Sequence, residues 1–316
     1  MTTMSKMSRL LNFCVITALV AVMLTSCFTG VETTKKITER DVQRAFQEME
    51  RGKHESSITP FVDSLPHWRQ GKEFWVVDDR AHLIFQPSAS YSIDSLQLTG
   101  KRLEFISYST RRQIDNSEVV DIIMSDSHGH RLIYATGKSL GDVSKPSFSM
   151  PFLVDDDMVQ NYARQLVGKT VYVKTSVWFD GAGNYTTGGR KFVPVVITAV
   201  TAGNDVYPLM VAFRDGDKEA TLWMTTHNTP ISGHHFDDLF SMTDVRKQYS
   251  KISDENWQRI VAGKVAEGMT KEECRLAMGS PKNLTQLPDQ SGLREYWYYD
   301  GGRYLFFVDG LLKEFR

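Results

Sequence analysis

The chain is poor in cysteine, in net charge and in long apolar runs, and each shortage narrows what it can be. Three cysteines occur in 316 residues: Cys14, Cys27 and Cys274. They are too few and too scattered for a disulfide framework, so stability has to come from packing. The formal net charge is −1, and near-neutrality argues against nucleic acid, whose phosphates call for a basic surface. A single apolar run, Leu10 to Leu24, stands out, interrupted by Asn12 and Thr17; it is short for a spanning helix. Missing too are a serine-nucleophile elbow, a His-Glu-x-x-His zinc signature and a phosphate-binding loop, so no recognised reaction is indicated and the chain reads as non-enzymatic.

What is present begins with Lys6 and Arg9 ahead of that run and Leu24-Thr25-Ser26-Cys27 at its close. A basic start followed by an apolar stretch and small residues is the layout of an export signal. It resembles a bacterial lipoprotein signal peptide, whose lipobox joins an aliphatic residue and two small ones to an invariant cysteine. The resemblance implies a signal over 1–26 and a covalent lipid of the palmitate type on Cys27, with no other cofactor. Phe28 stands where an aspartate signals inner-membrane retention in some lipoprotein systems, which favours the outer membrane. Loss of Lys6 and Arg9 with the signal takes the net charge to −3. Residues 27–59 then read as anchor, tether and a short helix, capped by Thr38 and carrying Val42, Phe46 and Met49 on one face.

From Pro60 to Thr226 the pattern alternates, is rich in β-branched residues and is punctuated by Gly and Asp, as in short strands. It also repeats itself. Arg69-Gln70-Gly71-Lys72 before Phe74-Trp75-Val76-Val77 finds an echo in Arg164-Gln165, Gly168-Lys169 and Val171-Tyr172-Val173. Leu103-Glu104-Phe105-Ile106 pairs with Phe192-Val193-Pro194-Val195, and the turns Asp126-Ser127-His128-Gly129 and Asp215-Gly216-Asp217 follow in step. Such spacing suits two small SH3-like barrel modules, over 60–140 and 141–228. Between the copies, Asp155-Asp156-Asp157 ahead of Met158, Tyr162 and Leu166 reads as an acidic helix start facing the positive end of the dipole. Pro194 and Pro208 point to edge strands or to strands that begin later.

After a connector over 229–252, the punctuation of residues 253–316 predicts helices and strands. Ser253 caps a helix with Trp257, Ile260 and Val261; Thr270 and Glu273 form a capping box, Met269 and Cys274 a hydrophobic staple, and Gly279 with Pro281 stops the second helix. Strand patterns follow over Leu284–Leu287, Leu293–Tyr299 and Tyr304–Val308, and Asp309-Gly310 turns into Leu311–Phe315. The Gly268-Met269-Thr270, Gly279-Ser280-Pro281 and Glu295-Tyr296-Trp297-Tyr298-Tyr299 elements resemble the SmpA/OmlA (BamE-like) domain of outer-membrane lipoproteins. The resemblance covers about the last 65 residues and implies a two-helix, three-stranded antiparallel domain. The expected fold class is therefore α+β and multidomain: tandem, mostly-β barrel modules followed by that domain.

Candidate chemistry is sparse. Gly233-His234-His235-Phe236-Asp237-Asp238 offers His234 and Asp238 on one helical face, but without a third or fourth ligand a polar connector explains it better and no metal is expected. Cys274, among Met269, Ala277 and Met278, reads as a small buried hydrophobe. Tyr296 and Tyr298 share one strand face, Trp297 and Tyr299 the other. One face has to cover the helices and the other is free for a partner, which makes these four the candidate partner-binding residues. The reading that unites these features is an outer-membrane-anchored, non-catalytic scaffold holding another envelope protein. Its alternatives are a cell-wall glycan binder or hydrolase with a site near His234–Asp238, and an inhibitor built on the BamE-like fold.

Overall fold

A computed structural model describes residues 58–87, 98–181, 183, 189–226, 233–289 and 292–316. Cys27 and the helix expected from Thr38 lie outside the described residues. Six strands form the first sheet: β1 (Glu73–Val76), β2 (Phe85–Pro87), β3 (Arg102–Arg112), β4 (Glu118–Ser125), β5 (Arg131–Ala135) and β6 (Leu153–Asp155), in the order β2-β5-β4-β3-β1-β6. The second sheet holds β7 (Thr170–Val173), β8 (Val193–Ala202), β9 (Leu209–Asp215), β10 (Lys218–Met224) and β11 (Phe240–Ser241), in the order β10-β9-β8-β7-β11. A third, β12 (Asn283–Asp289), β13 (Gly292–Tyr298), β14 (Tyr304–Val308) and β15 (Leu311–Phe315), is a meander in chain order. Five helices are described: α1 (Leu140–Val143), α2 (Asp156–Leu166), α3 (Phe236–Leu239), α4 (Asp254–Val261) and α5 (Lys271–Met278).

The first two sheets repeat one another. β1, β3, β4 and β5 form a meander, a short helix follows, and β6 returns to the free side of β1; β7 through β10, α3 and β11 do the same. Each copy carries the same irregularity. The register of β3 on β4 slips between Phe105 and Ser107, and that of β8 on β9 slips between Ile197 and Ala199. At that bulge Gly71 N–H donates to Phe105 O (2.9 Å) and Phe105 N–H to Lys72 O (2.8 Å), while Gly168 and Ile197 make the equivalent pair with Lys169 (2.9 and 3.1 Å). Both glycines sit at positive φ, +86° and +81°, which explains why each copy opens on Gly-Lys. The structural match therefore sets Phe105 on Ile197, three residues beyond the Phe105–Pro194 pairing suggested by sequence. Pro194 lies second in β8, an interior strand, at the end where β9 does not yet pair; β9 begins just after Pro208.

The α+β, multidomain class does not hold. The described chain is mostly β, in three curled antiparallel sheets, and two of its five helices are single turns of four residues. The expected small barrels are curled sheets of six and five strands. The carboxy-terminal sheet has the four strands that the local pattern spells, the last turned back at Asp309 and Gly310 (φ +49° and +82°) as β15, and not the two-helix, three-stranded domain that the BamE-like resemblance implied. Nor does that segment core itself alone. Trp257, Ile260, Cys274, Trp297 and Phe307 belong to one continuous core with Val171, Val195, Phe213 and Met224 of the second sheet, and the Phe192 and Trp257 rings stack at 5.5 Å. The first sheet keeps a separate core built on Phe74, Leu103, Phe105, Ile122, Met124 and Leu132.

Candidate functional site

Three places gather chemistry. The first is a cavity of about 410 Å³ where the first sheet meets the β8–β9 turn, walled by Phe61, Trp68, Phe148 and Phe152 and bounded by Asp63 and Asp155. Trp68 packs on Phe74 (4.8 Å) and meets the edge of Phe105 (5.4 Å). Arg80 lies over Phe152 (4.8 Å) and bonds Asp205 (3.0 Å) of the second repeat, joining the two copies at the cavity. Beside it, the Lys72 side chain is 3% exposed and its Nζ meets Asp157 at 2.6 Å, Asp155 at 2.8 Å and Asp63 at 3.2 Å. Burial works to lower the Lys72 pKa, but Asp155 and Asp157 outweigh it and hold the group above its ordinary value. An ammonium so enclosed is a clamp and not a nucleophile. The acidic triplet thus does two jobs: Asp155 accepts from Asp157 N at the start of α2 (2.9 Å) and also fixes Lys72.

The second place is the third sheet, which sorts the four candidate aromatics by face. Trp297 is 0% exposed, packs on Phe307 (4.8 Å) and donates Nε1–H to Glu295. Glu295 also accepts from Gln286 (3.0 Å) and pairs with Lys271 (3.1 Å); burial opposes its charge, yet these bonds hold its carboxyl below the usual range. Tyr299 is half-buried and donates to Gly279 O (3.0 Å), with its hydroxyl pushed up to about 12, chiefly by burial. These two are core. Tyr296 and Tyr298 stand on the opposite face, Tyr296 stacked on Phe306 (4.5 Å) and near Tyr298 (6.3 Å), which is 42% exposed. Sequence alternation separates the pairs but cannot say which faces inward, since both are aromatic.

No protein-family model and no curated protein matches this chain.

At the rim of that sheet, β12 pairs with β13, and among the described residues no strand lies on its outer backbone edge. Leu284 and Leu287 on it are 47% and 51% exposed, and it carries neither Lys nor Arg between Asn283 and Asp289. The opposite edge, β15, carries Lys313 and Glu314. Charge of that kind discourages strand addition, and β12 carries it only at its last residue, Asp289.

The sequence-predicted His234 and Asp238 are not brought together as ligands. His234 donates Nδ1–H to Trp223 O (3.1 Å) with its ring on Tyr207 (4.4 Å), while Asp238 accepts from Gly233 N and His235 N (both 3.1 Å) at the start of α3. Cys274 is fully buried and its thiol is pushed up to about 12, by burial first and then by Glu273. It is expected to resist maleimide at pH 7.5 in the folded chain and to react on denaturation, as mass spectrometry will show; labelling of the native chain at the rate of a free thiol contradicts this. The third place was missed altogether in the sequence. Asp126, His128 and His130, at the β4–β5 turn, bring one ligand atom each within 4.8 Å of one another. Their Asp-x-His-x-His spacing was the available signal, obscured because Asp126-Ser127-His128-Gly129 also satisfies the chemistry of a turn.

Proposed function

We propose that this chain is an envelope lipoprotein, held at the outer membrane by lipid on Cys27, that binds another envelope protein and has no catalytic role. The observation that carries the reading is the third sheet: a weakly charged edge on β12, unpaired among the described residues, beside an outward face of Tyr296, Tyr298 and Phe306. An extended segment of the partner adds to β12 by backbone hydrogen bonds, and its alternate side chains lie against Leu287 and Tyr298. The exposed Tyr298, with half-buried Tyr296 beside it, suits such docking at a sheet edge, since rigid aromatics anchor interfaces at little entropic cost. Among the described residues no helix is long and apolar enough to cross a membrane. Around His234 no assembled group supports the hydrolase alternative among the described residues. Crosslinking intact cells that make the full chain, then purifying it under denaturing conditions, is expected to recover one defined envelope protein; recovery of none counts against the reading.

A further inference from the structure

We propose that the β4–β5 hairpin is a binding site for a divalent transition metal ion of the zinc, nickel or copper class, with Asp126, His128 and His130 as its ligands. The turn is built so that one carboxylate does two things. Asp126 Oδ1 accepts the backbone N–H groups of His128 and His130, both at 2.9 Å, and closes the loop. Its Oδ2 is thereby aimed at the two imidazoles, 2.8 Å from His130 Nδ1 and 3.7 Å from His128 Nδ1. Two ligands about 2.0–2.2 Å from a tetrahedral ion lie roughly 3.3–3.6 Å apart, and the observed separations bracket that span.

The backbone supports the same arrangement. Asp126 N–H donates to His130 O (3.1 Å) and Gly129 N–H to Asp126 O (3.0 Å), so the five-residue loop is closed at both ends. Gly129, at φ +79°, reverses the chain between the histidines and brings their rings to 5.8 Å, nearly parallel at 27°. A side chain at that position would be strained, which ties the glycine to the ring placement.

Burial sets the direction of approach. The Asp126 side chain is 2% exposed, whereas those of His130 and His128 are 39% and 67% exposed. The carboxylate is therefore fixed from behind and an ion enters from the imidazole side. Two imidazoles and one carboxylate are a borderline-soft set that suits zinc, nickel or copper and is poor for calcium or magnesium, which take six or more oxygens or keep their waters. Three protein ligands leave an open position for water or for a donor from another molecule.

The test uses the full, tag-free chain in detergent, stripped with chelator and titrated with zinc and, separately, with cobalt as a spectroscopic probe. The expected result is saturable binding of one ion, intense visible bands with cobalt, and affinity on the order of 100-fold weaker in the His128→Ala/His130→Ala variant. Thermal melts of the metal-free variants establish that the hairpin still folds, and His128→Asn alone serves if the double variant does not. Binding that is absent from the wild type, unchanged in the variants, or matched by calcium at equal concentration overturns the assignment.

Discussion

Replacing Lys72 by Met lowers the unfolding free energy by about 3 kcal/mol, the lower end of the cost of breaking a buried charge pair because Asp157 is largely exposed. In a chain of this size, at an unfolding entropy of ~2.1 cal/mol/K per residue, that corresponds to roughly 5 °C in melting temperature. The loss comes from what remains: Asp63, Asp155 and Asp157 stay crowded about a site that no longer holds a cation. Asp155 already stands above the ordinary carboxylate value, chiefly through burial, with Lys72 opposing the rise. Its raised value means that its charge costs stability at neutral pH and that acid relieves the cost. The variant therefore regains part of its stability between pH 7 and 4, and Asp155→Asn, which keeps an oxygen to cap α2, rescues it further. Lys72 itself has the opposite consequence. Its folded pKa lies above 10.5, so its contribution is fully present below that value and is lost as the pH rises beyond it. Urea unfolding at several pH values measures both; equal stability of variant and wild type at pH 7 contradicts the account of the clamp.

Two neighbours on one strand give the second large contrast. Trp297→Ala removes a fully buried indole from the core shared by the second and third sheets and leaves a Glu295 oxygen without its donor, which costs about 3–5 kcal/mol. Tyr298→Ala, one residue on and on the opposite face, changes stability by about 0.5 kcal/mol or less. Partner capture follows the reverse order: Tyr298→Ala loses it while folded, and Trp297→Ala loses it only with the fold. Thermal melts beside crosslinking separate the two. A Tyr298 variant that captures the partner as well as wild type removes that face from the interface.

How much of this was legible in the chain depends on how local each signal is. The caps were: Thr270 and Glu273 bond each other's backbone at the start of α5, and Met269 and Cys274 are both buried beside them. Strand alternation was legible as well, but which face of β13 turns inward was not, because Trp297 and Tyr298 look alike until α4 and α5 are packed. The fold class failed for a related reason. Strong helix punctuation in residues 253–278 gave two short helices more weight than fifteen strands, and no local signal shows that their core continues into the second sheet. The repeat was visible at Gly71 and Gly168, yet its register slipped by three residues because a bulge leaves no compositional mark. Lys72 and Asp157, 85 positions apart, met only in three dimensions.

In the proposed mode of binding, a partner strand docks on β12 and the face beside it. A photo-activated crosslinking residue placed at Leu287 or Tyr298, and as a control at Lys313 on the opposite edge, tests this in intact cells. One adduct of the same size is expected from Leu287 and Tyr298, and none from Lys313. Adducts from Lys313 alone, or equal yields at all three positions, contradict it.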